Sequence, residues 1–313
     1  MFSCVTLLAL PMMADAFGFD FFSRTNGGNV TLPRSASSAA ELGWLLSERS
    51  DGSPCRSGLG YEYTEGGTEH SRERPLSLFF NGKGQLSALS VRAWFQSSNS
   101  YNPDTWREPT FGAETDATSV ERWVTVSTRD PAAACTGAGT GAGAEEDAVG
   151  KDGEVGVLGD RLVANADGAD GGADSVRIPT SAPEDPDGQW KKGACMPNMS
   201  QHWGMPLDGN TDTLLGLDHG VHVMPINPMY SVPEGPGKGR VTALAFFTTE
   251  PQVTRSDGGV WDASGTAAQL CGGNYCVDAD QCEYGASNSV LHIFFIDQWT
   301  DPAQCGDIGT PGC

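Results

Sequence analysis

The feature that most constrains the fold of this chain is an internal sequence repeat. Two separated stretches contain similar short motifs in the same order. The later stretch begins with Cys195-Met-Pro-Asn-Met-Ser-Gln-His-Trp203 and continues to Gly237-Lys-Gly-Arg-Val-Thr-Ala-Leu244. The earlier stretch begins with Cys55-Arg-Ser-Gly-Leu-Gly-Tyr-Glu-Tyr63 and continues to Gly82-Lys-Gly-Gln-Leu-Ser-Ala-Leu89. Because the matching runs occur in the same order, the sequence predicts a diverged tandem duplication.

The internal repeat also sets the boundaries of the predicted segments. The repeats open on similar runs, Val30-Thr-Leu-Pro33 and Val176-Arg-Ile-Pro179, and both end with Asp-Pro ahead of a cysteine. The acidic stretch between them is rich in Gly, Ala and Asp, which is typical of a linker. The predicted segments are a signal peptide (1–16), an N-terminal arm (17–29), repeat one (30–136), a linker (137–174), repeat two (175–306) and a C-terminal tail (307–313).

Both repeats carry patterns that favour β-strands. In repeat one, apolar runs at 76–80 and 85–95 flank Asn-Gly-Lys-Gly, which is a hairpin signal. In repeat two, runs at 226–231 and 240–249 flank a longer Gly- and Pro-rich loop. Matching strands are expected near the ends of the repeats, at 120–126 and 290–296.

Two smaller elements complete the prediction. A short helix is expected after Ser38-Ala-Ala-Glu41, which has capping-box form and precedes Leu42, Leu45 and Leu46. An added edge strand is expected within 155–163. The predicted fold class is therefore mainly β, with α+β as the alternative, and consists of two homologous lobes stapled by disulfides. The sequence leaves open whether the lobes are separate domains or pack together.

The cysteines fit an oxidising compartment. Loss of a signal peptide removes Cys4 from the nine cysteines of the chain and leaves an even number. If equivalent positions pair equivalently, Cys55–Cys135 and Cys195–Cys305 each tie the start of a repeat to its end. The pairing stays open for the remaining four, Cys271, Cys276, Cys282 and Cys313.

The N-terminus predicts export. An apolar run from Val5 to Met13 ends at Ala14-Asp-Ala16, an A-x-A-like cleavage site, and it is too short to span a bilayer. Glycosylation sequons at Asn29 and Asn198 agree with a secreted, extracellular protein. The alternative is a secondary plastid reached by a signal plus a transit peptide, because Ala14-Asp-Ala-Phe17 resembles such junctions. The acidic residues that follow fit a transit peptide poorly.

The net charge narrows the range of partners. The chain has 40 acidic and 19 basic residues and a formal charge of −21. A surface of this sign repels phosphate backbones and anionic lipid, so nucleic acid and membrane insertion are not expected. A cation or another extracellular ligand is the expected partner.

Histidines of repeat two mark a candidate metal site. His202 lies in the cysteine-containing box, His222 precedes Pro225, and His292 lies on the last predicted strand. His219 forms a His-x-x-His pair with His222 and is a further candidate. Converging imidazoles would suit zinc or copper with an open coordination position. The alternatives are unrelated histidines that are hydrogen-bonded within the fold, and acid–base catalysis.

Repeat one carries ionisable residues where repeat two carries these histidines. Aligning the repeats places Glu62 opposite His202 and, when the alignment is anchored on Asp-Pro, Glu121 opposite His292. Arg72 falls opposite the remaining candidate ligand, His222. We therefore expect a polar spot in each repeat.

Part of repeat two resembles a family of uncharacterised exported domains. The shared residues are the Cys-x-Pro-x-Met-x-x-His-Trp box from Cys195 to Trp203 and the late strand from Val290 to Ile296. The family carries Gly where this chain has Ser200, and repeat one lacks the Pro, Met and His of the box. The resemblance implies no activity, but it implies that His202 and His292 occur together.

These observations predict a secreted binding or structural module of unknown ligand, with a specific site in repeat two. The first alternative is a metal-dependent enzyme, an oxidoreductase or hydrolase that uses zinc or copper. The second is an acidic, calcium-responsive surface protein. A zinc or copper site requires the histidines to converge in the folded chain, whereas the other two interpretations do not.

Overall fold

The structure is a computed structural model. It describes residues 19–21, 30–33, 35–47, 55–66, 72–97, 101–107, 120–128, 134–136, 161–165, 175–184, 188–196, 200–205, 225–231, 239–248, 250–253, 257, 259–263 and 289–295. Its elements in chain order are β1 (Phe19–Phe21), β2 (Val30–Leu32), α1 (Ala36–Ala39), a 3-10 turn (Ala40–Leu42), β3 (Trp44–Leu46), β4 (Cys55–Arg56), β5 (Gly60–Glu65), β6 (Leu76–Phe80), β7 (Leu86–Phe95), β8 (Val120–Ser127), β9 (Leu162–Ala164), β10 (Val176–Ile178), β11 (Lys191–Met196), β12 (Ser200–Gly204), β13 (Ile226–Tyr230), β14 (Val241–Thr248), β15 (Asp262–Ala263) and β16 (Ser289–Phe294).

The predicted mainly β fold class is confirmed. Within the described residues the strands form two antiparallel sheets. The first sheet has the order β3-β5-β6-β7-β8-β9-β10, and β4 also pairs with β5. The second sheet has the order β11-β12-β13-β14-β16-β1-β2, and β15 also pairs with β16. No helix in the described part of the chain is long and apolar enough to cross a membrane.

Both predicted hairpins form, and their described residues share two features. The β6–β7 pair has a register shift after Phe79, and the β13–β14 pair has one after Met229. Gly84 and Gly239 each lie two residues before the start of the second strand and have φ values of 77°. Glycine adopts this left-handed conformation without the steric cost that a Cβ would add. The last glycine of each Gly-Lys-Gly run therefore has the same backbone conformation in both sheets.

The predicted helix is misplaced by about one turn. Ser35 caps α1 and exchanges hydrogen bonds with Ser38, so the helix begins before the predicted capping box. Gly43, with φ at 79°, ends the 3-10 turn, and Leu45 and Leu46 then pair with β5 as part of a strand. The predicted edge strand lies near the end of its range, at β9, and β10 pairs on its other side.

One pair of strands from the start of the sequence forms an edge of the second sheet. We call β1 and β2 the closing pair, because β1 joins the second sheet by pairing with β16, at the far end of the chain. Residues 19–21, within the predicted N-terminal arm, thus form a strand. In the first sheet β9 and β10 follow β8 in the same way, with β9 next to β8 and β10 outside it.

The chain then crosses between the sheets at matching points. After β2, Ser35 bridges to Gln85 in the first sheet, and after β10, Ser181 bridges to Arg240 in the second. These correspondences support the predicted tandem duplication, which remains an inference.

The sheets pack on a common hydrophobic core. Alternate residues of the central strands point inward, and one cluster contains Phe80, Val91 and Val126 of the first sheet with Tyr230 and Phe246 of the second. The two sheets therefore form a two-layer sandwich. A polar latch reinforces it: the Gln252 side chain accepts from the Trp94 backbone N–H at 3.0 Å and donates to its carbonyl at 2.8 Å.

The predicted Cys55–Cys135 disulfide is confirmed, with a Cα–Cα distance of 5.9 Å. It ties the short strand β4 to the segment that follows β8. Cys305, Cys271, Cys276, Cys282 and Cys313 lie outside the described residues, as does the side chain of Cys195. The second predicted disulfide therefore stays a prediction.

A buried tyrosine gives the sandwich a specific response to alkaline pH. The Tyr230 hydroxyl donates to the Pro179 carbonyl at 2.7 Å, and burial raises the pKa of this phenol far above its usual value of 10.0. The folded phenol stays protonated, whereas the unfolded phenol ionises above about pH 10, so stability is full below this pH and falls above it. At about pH 11 the loss reaches about 1.4 kcal/mol.

Urea unfolding of the wild type and Tyr230→Phe across this pH range checks the prediction. Other alkaline groups titrate in both proteins, so the difference between them isolates Tyr230. The gap in stability between the two proteins is expected to narrow above about pH 10. A gap that stays constant would contradict the assignment.

Candidate functional site

The candidate site lies on the outer face of the second sheet. We use this name for the residues that alternate with the core-facing ones: His202, Asn227, Met229, Ala243, Ala245, Phe247, Val290, His292 and Phe294. Six of them form a separate buried apolar cluster, Met229, Ala243, Ala245, Phe247, Val290 and Phe294. The two histidines and Asn227 are the polar members of an otherwise apolar surface.

Strand register brings the histidines to one region of this face. His202 on β12 pairs with Met229, and Met229 pairs with Ala243. One step along the same face, Asn227 pairs with Ala245, and Ala245 pairs with His292. The alanines of the intervening strand β14 leave room above them for longer side chains. Both imidazoles can therefore occupy the space between their strands.

The two histidines face each other in the folded chain. Their ring centroids are 6.4 Å apart with the ring planes at 86°, and His292 also stacks on Phe294 at 5.8 Å. His202 is 2% exposed and His292 is 8% exposed. Two imidazoles that are distant in sequence thus meet in a largely apolar, water-poor setting.

This separation is close to what a shared metal ion requires. With metal–nitrogen bonds of about 2 Å and a tetrahedral angle, two imidazole centroids on one ion lie roughly 5 Å apart. A side-chain adjustment of about 1 Å would bring His202 and His292 to that distance. Among the described residues, no group of three or more His, Cys, Asp or Glu side chains could hold a metal ion. A metal ion at this place would therefore need further donors of a different type, or donors elsewhere in the chain.

Two neighbours could supply such donors, and the sequence pattern alone did not connect either of them with His202 or His292. Met229 is fully buried directly opposite His202, where its thioether is a soft donor. Asn227 is 5% exposed, and its Oδ1 makes no hydrogen bond to any described residue. The signal was present, since Asn227 and Met229 alternate on the predicted strand 226–231 and so share a face.

Several predicted site residues cannot be placed. His219 and His222 lie outside the described residues, as do the sequons at Asn29 and Asn198. Arg72 is described, but its predicted counterpart His222 is not. A third histidine ligand therefore stays a prediction.

The outer face of the first sheet allows a comparison of matching positions. Glu62 pairs with Phe79, and Phe79 with Ala88, in the register that His202, Met229 and Ala243 have in the second sheet. Glu62 thus holds the position of His202. Its carboxylate accepts a hydrogen bond from Ser77 at 2.7 Å.

The prediction that Glu121 matches His292 is wrong. Ala88 pairs with Ser127, as Ala243 pairs with Phe294, so the residue two positions earlier on β8, Thr125, occupies the place of His292. Anchoring on Asp-Pro misplaced Glu121 because the chain between the strand and that dipeptide differs in length. Glu121 instead forms a buried ion pair with Arg92 at 2.7 Å.

No protein-family model, curated protein or solved structure matches this chain. The resemblance of the Cys195–Trp203 box to exported domains therefore stays a prediction, and the function must be argued from the geometry.

Proposed function

We propose that this chain is an exported binding module that holds one transition-metal ion, copper in preference to zinc, on the outer face of its second sheet. The observation that carries the proposal is the approach of His202 and His292, with ring centroids 6.4 Å apart on a buried and mainly apolar face. Neutral imidazole is the commonest metal ligand in proteins. The disulfide Cys55–Cys135 supports export, because such bonds persist in oxidising compartments.

Met229 favours copper over zinc. Thioethers are soft ligands that select copper, especially Cu(I), whereas zinc sites in proteins use thiolate, imidazole and carboxylate. Cross-strand neighbours have Cβ atoms about 5 Å apart, so the Met229 sulfur can reach the space beside the His202 ring. The apolar cluster around the site would limit access of water and competing ligands.

Asn227 suits a supporting role in this arrangement. Its Oδ1 is buried and makes no hydrogen bond to a described residue, and Asn227 lies between the two histidines in the strand order. An amide oxygen is a weak ligand for copper but a good acceptor for a hydrogen bond from a metal-bound water. Asn227 would therefore orient a water in the remaining coordination position.

Metal analysis tests the proposal. Untagged protein from an oxidising host is incubated with Cu(II) or Zn(II), dialysed and analysed by plasma mass spectrometry. About one copper per chain is expected. His202→Ala and His292→Ala should each weaken binding by about 100-fold, because four-ligand structural sites are worth about 10–16 kcal/mol in total. His70→Ala, in the first repeat, is the control for a lost histidine.

The variant Met229→Leu distinguishes a copper site from a zinc site. This swap conserves volume and should cost little stability. It is expected to lower the Cu(I) affinity, measured by competition with a chromophoric chelator, while leaving the Zn(II) affinity unchanged. Equal loss of both affinities would contradict the role of Met229, and retention of copper by both histidine variants would overturn the site.

A further inference from the structure

The outer face of the first sheet differs chemically from that of the second. Three cross-strand pairs of β7 and β8 form a patch there: Ala88 with Ser127, Ser90 with Thr125, and Arg92 with Trp123. We call these six residues the hydroxyl patch. Its positions match Ala243, Phe294, Ala245, His292, Phe247 and Val290, so polar groups mostly stand where the second sheet is apolar.

Five of the six residues bury polar atoms that lack hydrogen bonds. Among the described residues, the hydroxyls of Ser90, Thr125 and Ser127 find no partner, nor do the Trp123 Nε1 and the Arg92 Nε. Ser90 is 1% exposed, Thr125 6% and Ser127 0%. A buried polar group without a partner lowers stability, and native proteins contain few of them. Five on two adjacent strands therefore indicate that something else bonds to them.

The one charged residue of the patch is compensated. Arg92 is neutralised by Glu121, whose Oε1 lies 2.7 Å from its Nη1. The Arg56 guanidinium covers one face of the Trp123 ring at 3.5 Å, which leaves the indole N–H edge as the polar feature of this residue. The groups that remain available are three hydroxyls, which donate and accept, and two N–H donors.

From these groups we infer that the hydroxyl patch binds a neutral, polyhydroxylated small molecule, a sugar or a polyol. Sugar hydroxyls also donate and accept, so one ligand can satisfy the serine and threonine hydroxyls and the two N–H donors together. Neighbouring strands are about 4.8 Å apart, and same-face residues on one strand are about 7 Å apart. Two adjacent cross-strand pairs of the patch therefore cover about the area of a single pyranose ring.

Charged ligands fit the patch less well. A hard cation prefers carboxylates and carbonyl oxygens, and here it would meet two N–H donors instead. An anion would need an uncompensated cation, but Arg92 is already paired with Glu121, and Arg56 is engaged with the Trp123 ring. An anion would also approach a chain with a net charge of −21.

Calorimetry and thermal denaturation of the full chain test this inference. The probes are D-glucose, D-galactose, D-mannose and myo-inositol, with D-glucuronate, sulfate and calcium chloride as charged comparisons. At least one neutral compound is expected to bind and to raise the Tm. Ser90→Ala and Thr125→Val remove a hydroxyl with little change in shape, so each should leave the Tm of the free protein unchanged or higher and weaken binding at least tenfold.

Two controls separate this site from the metal site and from a general loss of hydroxyls. Thr248→Val removes a buried hydroxyl of the second sheet and should bind the probe as the wild type does. His202→Ala should also keep the response, because the two faces are independent. The inference is overturned if no neutral compound binds, if only a charged comparison binds, or if Ser90→Ala and Thr125→Val bind as tightly as the wild type.

Discussion

Removal of the Cys55–Cys135 disulfide by replacing both residues with alanine is expected to lower the free energy of unfolding by about 4–5 kcal/mol. The bond joins positions 80 residues apart, and closing a loop of this length removes much of the entropy of the unfolded chain. A loss of this size is a large fraction of the stability of a typical domain. Urea unfolding at constant protein concentration measures it.

Single substitutions provide the control. Cys55→Ala and Cys135→Ala each abolish the same bond, so either variant should lose about as much stability as the double variant. A double variant within about 1 kcal/mol of the wild type would show that the unfolded chain is restrained in another way. A clearly additive loss would show that the side chains matter through packing instead of through the bond.

Breaking the Arg92–Glu121 ion pair by Glu121→Ala is expected to cost about 3–5 kcal/mol. Both side chains are buried, with 10% and 4% exposure, and the pair spans the adjacent strands β7 and β8. The variant would leave a guanidinium buried without its carboxylate, which is strongly destabilising. Thermal and urea unfolding both measure the effect.

A double substitution tests whether the loss of stability comes from the unpaired, buried charge of Arg92. Arg92→Met with Glu121→Leu replaces the pair by apolar side chains and should recover most of the stability, since such replacements are often neutral or better. Together with the single variants Arg92→Met and Glu121→Leu, it completes a double-mutant cycle that gives the coupling energy directly. If the double variant is no more stable than Glu121→Ala, the charge explanation is wrong.

Sequence patterns predicted the local parts of the fold well. The hairpins β6–β7 and β13–β14 follow from apolar runs separated by Gly-containing turns, and both strands of each pair are close in the chain. The Cys55–Cys135 bond followed from matching positions in the two repeats. These inferences depend on sequence patterns within a few dozen residues, or on the internal sequence repeat.

Nonlocal pairing was harder to predict. Leu45 and Leu46 suggested the apolar side of a helix, but they are 47% and 40% exposed on β3, which forms by pairing with β5. Residues 19–21 gave no clear strand signal, and β1 exists through its hydrogen bonds to β16. Such pairings are set by the whole sheet, so a local pattern does not reveal them.

The candidate site was only partly predicted, because it also depends on how the strands pair. The alternation of strand residues correctly placed His292 on one face with Phe294, and the box at Cys195–Trp203 drew attention to His202. Asn227 and the hydroxyl patch were missed, and Met229 was not linked to the histidines, because single Ser, Thr, Asn and Met residues are common in strands. Only the register shows that Ser90 stands beside Thr125 and that Met229 stands beside His202.

The closing pair has a consequence for how the protein is made. A ribosome synthesises β1 about 270 residues before β16. At about 5–20 residues per second, β1 waits tens of seconds for its partner strand. During that time β1 and β2 have no sheet to join, while the first sheet can already assemble from consecutive strands. The newborn chain therefore passes through a half-built state with an unpaired, aggregation-prone edge. A chaperone that binds extended segments would act at this stage.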